Sequence, residues 1–307
     1  MGHRLIECVP NFSEGRDARK VEAIAEAIEA VSGVCVLDRH LDPDHNRCVI
    51  TLVGSPEAVA EAALAGVGKA VELIDLNRHS GVHPRIGAAD VVPFVPLENS
   101  TLEECAELAR RVGQEIWRRF GVPVYFYGAA ALRPDRVELA AVRRGQFEGL
   151  RELVLRDEAR RPDVGGPALH PTAGAVAVGA RKFLIAYNVN LAGKNLEAAQ
   201  RIARRIRESS GGFPGVKAMG VELASRGLVQ VSMNLTDFER TPLEELYQAI
   251  CRGAEREGLA VAGSELVGLV PRRAYEMAPA FFERCENFRP DAILEERLVA
   301  LESKKCW

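Results

Sequence analysis

The chain has 307 residues, 47% of them hydrophobic and 27% charged, a composition that excludes disordered and fibrous proteins. Its formal net charge of -3 provides no broad basic surface, so nucleic acid is not expected as a partner. Seven scattered cysteines without a CxxC pair favour reduced thiols over a zinc ribbon or a disulfide framework. The first twelve residues, MGHRLIECVPNF, lack the apolar run of a signal peptide, and a cytoplasmic protein without a membrane partner is expected.

The first half of the chain predicts strands and helices that alternate around one mixed sheet, from hydrophobic periodicity and turn signals. The predicted elements are, in chain order, the strand LIECVP, a helix over 16–31, the strands VCVLD and RCVITLV, a helix from Ser55 to Leu73, the strand VVPFVPL, the helix ECAELARRVGQEIWRRF and the strand VPVYFY.

The second half repeats this order. Its predicted elements are the strand KFLIAYNVNL, the helix LEAAQRIARRIRE, the strands AMGVELA and GLVQVSMNL, the helix PLEELYQAICRGAERE and the strand VAGSELVGLV. Both halves fit a β-α-β-β-α-β unit, so the predicted class is α+β, with two ferredoxin-like subdomains that each form a mixed sheet with helices packed on it. The predicted boundaries are 1–177 and 178–290, with a short helical tail over 291–307.

A segment rich in glycine and proline, RRPDVGGPALHPTAGA, precedes the second half. Its three prolines and three glycines are typical of a linker, but they also suit a loop shaped to bind a ligand. Composition alone leaves these two interpretations open.

His83 lies in a stretch with glycines on both sides, and Pro84 disfavours the helical conformation at the preceding residue. An imidazole held on such a stiff loop can take and give a proton near neutral pH. Arg85 and Asp90 follow closely, and they could supply a substrate-binding charge and an orienting carboxylate. The alternative is a half-buried histidine that donates to a backbone carbonyl.

Three other histidines are candidates for metal ligands or for groups that support the active site. His79 and His83 are four residues apart, but Gly81 and Pro84 argue against the helix that this spacing needs, and no HExxH motif is present, so no metal is expected. His40 and His45 flank the acidic turn of DRHLDPDHNR, which is either a solvated hairpin loop or a support for the active site.

Two charged segments, RIARRIRE and RRGQFEGLRELVLRDEARR, are interpreted as solvated helix faces without a function. No phosphate-binding loop is found, so no nucleotide cofactor is indicated.

Six separated blocks carry a family resemblance: ECVPNFSEGR, NRCVITLVG, HSGVHPRIGAADVVPFVP, GVPVYFYG, GARKFLIAYNVNL and ELVGLVP. Over residues 4–288 the chain resembles the formiminotransferase domain family. The resemblance implies transfer of a formimino group from N-formimino-L-glutamate to N5 of tetrahydrofolate, the co-substrate. It also implies that His83, the histidine of the HPR block, is the catalytic acid/base.

The resemblance further implies a folate cleft between the two subdomains. The matching folate-binding positions are Gly165, Gly166, Pro167, Ala168, Leu169, His170, Pro171, Thr172, Ala173 and Gly174. Family members often have an aromatic residue in place of Ala173 and an acidic residue in place of His40, so the packing of the folate rings and the group that orients His83 stay open. The candidates for binding carboxylates are Arg47, Arg85, Arg181 and Lys182.

The resemblance also bears on partners. Bifunctional members of the family continue into a cyclodeaminase domain, so a separate cyclodeaminase is expected here, together with a homo-oligomer, most simply a dimer. Two alternatives remain: formyl transfer or isomerisation involving 5-formyltetrahydrofolate, and a non-catalytic folate-binding protein. An RNA-binding module is disfavoured because the strands lack the aromatic KGFGFVxF pattern.

Overall fold

The computed structural model describes residues 4–302. These residues form two compact units, 4–181 and 182–302. None of the described helices is both long and apolar enough to cross a membrane.

The first unit contains a seven-stranded sheet with helices on both faces. Its elements are β1 (Ile6–Cys8), β2 (Asn11–Phe12), α1 (Ala18–Glu29), β3 (Val34–Asp42), β4 (Arg47–Gly54), α2 (Pro56–Leu73), β5 (Ala89–Pro96), α3 (Leu102–Phe120), β6 (Val124–Gly128), α4 (Leu139–Val142), α5 (Gln146–Arg156) and β7 (Val176–Ala180).

A ferredoxin-like arrangement lies at the centre of this sheet. β1 pairs with both β4 and β5, and β3 pairs with β4, all antiparallel. β2 continues the line of β1 between the same two neighbours, after a break that contains Pro10, a residue without an N–H donor. β7 and β6 then extend the sheet beyond β5 in parallel. The first sheet is therefore mixed, as the sequence predicts.

The second unit has the simpler ferredoxin-like sheet, in the order β11-β8-β10-β9. Its elements are β8 (Ile185–Ala192), α6 (Leu196–Ile206), β9 (Val216–Leu223), β10 (Leu228–Leu235), α7 (Leu243–Arg256), β11 (Val261–Val267), α8 (Arg272–Met277), α9 (Pro279–Glu283) and α10 (Leu294–Glu302). Every strand pair is antiparallel, so the prediction of a mixed sheet is wrong for this unit. The reason is topological, because the βαββαβ order without added strands gives each strand antiparallel neighbours.

The α+β class with two subdomains is confirmed, and local signals explain where elements begin and end. α3 starts with a capping box, in which Thr101 accepts from the backbone N–H of Glu104 while the Glu104 carboxylate accepts from that of Thr101. It ends at Gly121 in the left-handed conformation. The buried side chains Cys105, Leu108, Val112 and Ile116 recur at helical spacing and face the core.

The segment 160–175 is not a linker between the units. It lies inside the first unit and leads into β7, which occupies the position between β5 and β6. The strand β7, with the sequence VAVGA, was not predicted, because only KFLIAYNVNL was assigned as a strand in this apolar part of the chain. β7 crosses the expected boundary after residue 177, and the chain passes from one unit to the other at Arg181 and Lys182.

Two loops of the first unit meet backbone to backbone. The amide of Ala88 donates to the carbonyl of Ala173, and the amide of Ala175 donates to the carbonyl of Ile86, each over 2.9 Å. A Cβ atom on Gly87 would lie 2.0 Å from the Ala175 carbonyl oxygen, and one on Gly174 would lie 2.1 Å from that of Ile86. Only glycine fits at either position, and Gly174 also has a φ of +71°. The loop that carries His83 is thereby joined to the predicted folate loop.

Replacing either of these glycines should therefore destabilise the first unit itself. Gly87→Ala and Gly174→Ala should each lower the free energy of unfolding by roughly 1–3 kcal/mol, because the new methyl group collides with a backbone carbonyl. Thermal and denaturant unfolding would measure the change. The matched control is Gly149→Ala in α5, where a Cβ atom meets nothing within 4 Å and the exchange should leave stability equal or higher. Equal stability of all three variants would contradict the steric argument.

Candidate functional site

His83 is half-buried in the loop before β5, and one nitrogen of its ring is already engaged. Its Nε2 lies 2.9 Å from Nη1 of Arg47, which also donates to Oδ1 of Asn11 over 3.0 Å. A guanidinium can only donate, so Nε2 accepts and carries no proton. The imidazole is therefore neutral, with its proton on Nδ1.

The surroundings of His83 favour this neutral form. Burial lowers its pKa well below the ordinary value, and the charges of Arg47, Arg143 and His45 lower it further. A backbone hydrogen bond with Pro84 opposes the shift without cancelling it. At neutral pH the ring is ready to accept a proton, as a general base must be.

Two guanidinium groups next to His83, those of Arg47 and Arg143, each have one N–H donor without a hydrogen-bond partner among the described residues. Burial lowers the pKa of Arg47 to about 10, and the nearby charge of Arg143 adds to the effect. Arg143 pairs with Oδ2 of Asp90. Within residues 4–302, the buried Nε of Arg47 and the buried Nε of Arg143 both lack a hydrogen-bond partner. Two cations at close range, with donors to spare, are suited to an anionic ligand.

Asp90 holds the loop backbone and does not orient the imidazole ring of His83. Its Oδ1 accepts from the backbone N–H of Ile86 over 2.7 Å, and its Oδ2 pairs with Arg143. The carboxylate is buried and both of its oxygens are occupied. The expectation that a carboxylate close in sequence orients His83 therefore does not hold for Asp90.

Arg85 is committed to structure, which removes it from the candidates for binding substrate. Its two terminal nitrogens make a bidentate pair with Glu148 at 2.6 and 2.8 Å, and they also reach Gln146 and the carbonyl of His79. Its Nε donates to Nδ1 of His79 over 3.0 Å. All the donors of this buried guanidinium are satisfied.

His79 is fixed by the same network. Its Nδ1 accepts from Arg85, and its Nε2 donates to the carbonyl of Asn46 over 2.9 Å, so both ring nitrogens are occupied. Burial is the main reason that its pKa is lowered. Within the described part of the chain, no group of three or more His, Cys, Asp or Glu side chains could hold a metal ion.

α5 contributes to the site although the sequence analysis gave its segment no function. Glu148 of this helix holds Arg85, and the helix packs on the sheet through Leu150 and Val154. The segment was interpreted as a solvated helix face, and the spacing of Phe147, Leu150 and Val154 is an amphipathic signal that could have revealed its buried face. No local signal indicates the partner of Glu148, because Arg85 lies 63 residues away.

The ten predicted folate-binding residues fall into an exposed part and a packed part. Gly165 to Ala168 and Pro171 are exposed, while Leu169, His170 and Thr172 are half-buried. Ala173 and Gly174 are buried. Nδ1 of His170 accepts from the backbone N–H of Ala173 over 3.0 Å, so this histidine closes its own turn. The exposed residues are the ones that a ligand could reach.

A cavity of about 380 Å³ opens beside this loop. Ala168 to Pro171 form one wall, and the other wall belongs to α5, with Phe147, Arg151, Glu152, Leu155 and Arg156. Arg151 also lies over the ring of Phe147, at 5.5 Å from its centroid. Phe147 is buried beneath Arg151, so the cavity offers a ligand the two arginines, Glu152 and the apolar side chain of Leu155.

The remaining cation candidates lie at the unit boundary. Arg181 is the last residue of the first unit. Burial raises the pKa of Glu7 to about 7, and the positive charge of Arg181 partly opposes this increase. Lys182 begins the second unit.

Comparison with known families decides the classification. Residues 5–181 match the N-terminal subdomain of the formiminotransferase domain, and residues 186–304 match the formiminotransferase domain. The chain belongs to the formiminotransferase domain family. Its relatives include a glutamate formimidoyltransferase of Thermoplasma acidophilum, 45% identical over 96% of this chain and 97% of the relative, and one of Streptococcus pyogenes, 44% identical over 96% and 99%.

A longer formiminotransferase relative is the formimidoyltransferase-cyclodeaminase of Gallus gallus. It is 46% identical over 95% of this chain, and the match spans 54% of the relative. The family resemblance seen in the six sequence blocks is thereby confirmed.

The neutral state of His83 in this formiminotransferase domain can be measured directly. In an NMR titration, His83 should lose its proton below pH 6.5, and Arg47→Gln should move the midpoint to higher pH because a repelling charge is removed. Arg201→Gln in the second unit, where Arg201 pairs with Glu257, is the charge-matched control and should leave the midpoint unchanged. A midpoint at or above 6.5 in the wild type would contradict the assignment.

Proposed function

We propose that this protein is an enzyme that transfers the formimino group of N-formimino-L-glutamate to N5 of tetrahydrofolate, yielding 5-formiminotetrahydrofolate and L-glutamate. The observation that carries the proposal is a neutral, half-buried imidazole, His83, held against an arginine within a formiminotransferase domain. The two relatives named glutamate formimidoyltransferase, matched over nearly their full length, support the choice of reaction.

The reaction requires that the two substrates be held in the right orientation and that one proton be moved between their nitrogen atoms. The N5–carbon bond forms, the bond between that carbon and the glutamate nitrogen breaks, and one proton passes from N5 to the departing nitrogen. His83 takes the proton as base and returns it as acid. Arg47 occupies Nε2 in the free protein, so we propose that a substrate carboxylate draws Arg47 away and frees the nitrogen.

The carboxylate binder proposed here is the pair Arg47 and Arg143, in place of Arg85. Both have a buried Nε that no described residue accepts from, whereas the donors of Arg85 are all used. An incoming carboxylate would relieve the mutual repulsion of the two guanidinium groups.

For tetrahydrofolate, the proposed binding segment is Gly165 to Gly174. The cavity next to Ala168 to Pro171 supports a contact with the flat or acidic part of the co-substrate. Ala173 and Gly174 would act by fixing the loop, because their side-chain positions are buried. The cleft between the subdomains stays a prediction.

The proposed substrates, cellular location and partners follow from the same reaction. The substrates are small metabolites, no metal is required, and the proposed location is the cytoplasm. Relatives named formimidoyltransferase-cyclodeaminase motivate the proposal that a cyclodeaminase consumes the product. A homodimer is proposed as the assembly, and light scattering of the purified protein would test it.

Removing the imidazole should abolish the reaction without unfolding the protein. His83→Asn should lower kcat by about 10²–10⁴-fold, the usual contribution of a general acid/base, with folate affinity largely retained. A spectrophotometric assay with formiminoglutamate and tetrahydrofolate measures turnover, and Arg201→Gln serves as the active control. Near wild-type turnover of His83→Asn at saturating substrates would remove His83 from the mechanism.

Donor competition distinguishes the remaining alternatives. Product from formiminoglutamate supports the proposal, whereas turnover of 5-formyltetrahydrofolate or a formylated donor alone would assign the same site to a formyl-group enzyme. Binding of reduced folate without turnover of either donor would indicate a binding protein.

A further inference from the structure

The turn between β3 and β4, residues 42–46, contacts residues 79–81, the segment that leads to His83. The side-chain amide of Asn46 donates to the carbonyl of Ser80 over 2.9 Å, and the Asn46 carbonyl accepts from the ring of His79. The loop passes so close to the turn that a Cβ atom on Gly81 would lie 2.4 Å from the carbonyl oxygen of His45. The position of His83 therefore depends on this turn.

Within the turn, Asp42 and His45 make a contact that the turn itself does not need. Oδ1 of Asp42 accepts from the backbone N–H of His45 over 2.8 Å, which is the ordinary cap of such a turn. Its second oxygen, Oδ2, lies 2.5 Å from Nδ1 of His45. This additional bond fixes the ring orientation of a buried histidine and keeps the proton on its Nδ1.

The ring fixed in this way faces His83. The centroids of the His45 and His83 rings are 6.1 Å apart, with an interplanar angle of 67°, an edge-on arrangement. Nε2 of the same His83 ring lies 2.9 Å from Nη1 of Arg47. His83 thus has His45 and Arg47 as neighbours, one in van der Waals range and one in hydrogen-bond range.

The charges around these two rings come from several elements. Asp42 ends β3 and His40 precedes it on the same strand, Arg47 begins β4, and Arg143 follows α4 and is paired with Asp90 of β5. Burial acts to raise the pKa of Asp42, but the hydrogen bond and charge of His45 outweigh it and lower the value to about 2. Asp42 is therefore a permanent negative charge at working pH.

We propose that Asp42 and His45 are positioning residues for His83: the Asp42 carboxylate orients the His45 ring, and that ring holds the catalytic imidazole in place against Arg47. The proposal rests on the proposed acid/base role of His83. It assigns a function to a turn that, in sequence, could equally be a solvated hairpin loop.

The test replaces the ring while keeping the turn. In His45→Asn the backbone N–H still donates to Oδ1 of Asp42, and the shorter side-chain amide can donate to Oδ2, so the turn keeps its cap and only the ring is lost. The expected result is a fall in kcat of roughly 10- to 100-fold, because small misplacements of a catalytic group cost that much, with KM nearly unchanged. The acid limb of the pH profile of kcat/KM should move to higher pH, since the charge of His45 is one cause of the lowered pKa of His83.

A purely structural role would not move that limb. Thr101→Ala removes a helix cap far along the chain and should cost about 1 kcal/mol of stability while leaving kcat and the pH profile unchanged. A folded His45→Asn with wild-type kcat and an unshifted limb would overturn the proposal. Should that variant not fold, Asp42→Asn keeps a cap acceptor but loses the charge, and wild-type kcat in Asp42→Asn would overturn it equally.

The NMR titration of His83 gives a readout that does not need turnover. An upward shift of its midpoint in His45→Asn supports the coupling of the two rings even if the wild type does not use formiminoglutamate, and an unchanged midpoint contradicts it. An inactive wild type would overturn the proposed reaction, so the two failures are distinguishable.

Discussion

The backbones of residues 86–88 and 173–175 approach so closely that no side chain fits between them. This contact joins the loop before β5 to the loop before β7, and it is possible because β5 and β7 are parallel neighbours whose preceding loops reach the same edge of the sheet. The His83 loop is fastened there at one end and against the 42–46 turn at the other. The imidazole owes its fixed position to these two attachments.

The electrostatic character of the site follows from burial of cations rather than from a local carboxylate. The charges of Arg47 and Arg143 act on His83, and the acidic groups nearby bind other side chains, Asp90 that of Arg143 and Asp42 that of His45. Under the proposed function, a substrate carboxylate bound beside Arg47 and Arg143 would offset the repulsion between the two guanidinium groups. Arg85, which looked equivalent in sequence, is instead neutralised by Glu148.

Much of the fold was accessible from sequence because periodicity and capping are local. The helix over Leu102–Phe120 carries its start and stop signals within its own residues, and His83 stands out through Pro84 and the neighbouring glycines. What sequence could not show was long-range. The pairing of Arg85 with Glu148 and of Gly87 with Gly174 joins residues more than 60 positions apart. The composition of the segment 160–175 left open whether it is a linker or a shaped loop, because glycines needed for close packing and glycines needed for flexibility look alike in a sequence.

The insertion of β7 between β5 and β6 has a consequence for biosynthesis. Among the strands of residues 4–302, β6 pairs with β7 alone, and β7 comes last in the unit, more than fifty residues after β6 begins. In a nascent chain, the facing edges of β5 and β6 therefore stay without a strand partner until β7 has emerged from the ribosome. Because both pairings are parallel and distant in sequence, we expect β7 to join the sheet late and slowly, and the contact between residues 86–88 and 173–175 to form with it.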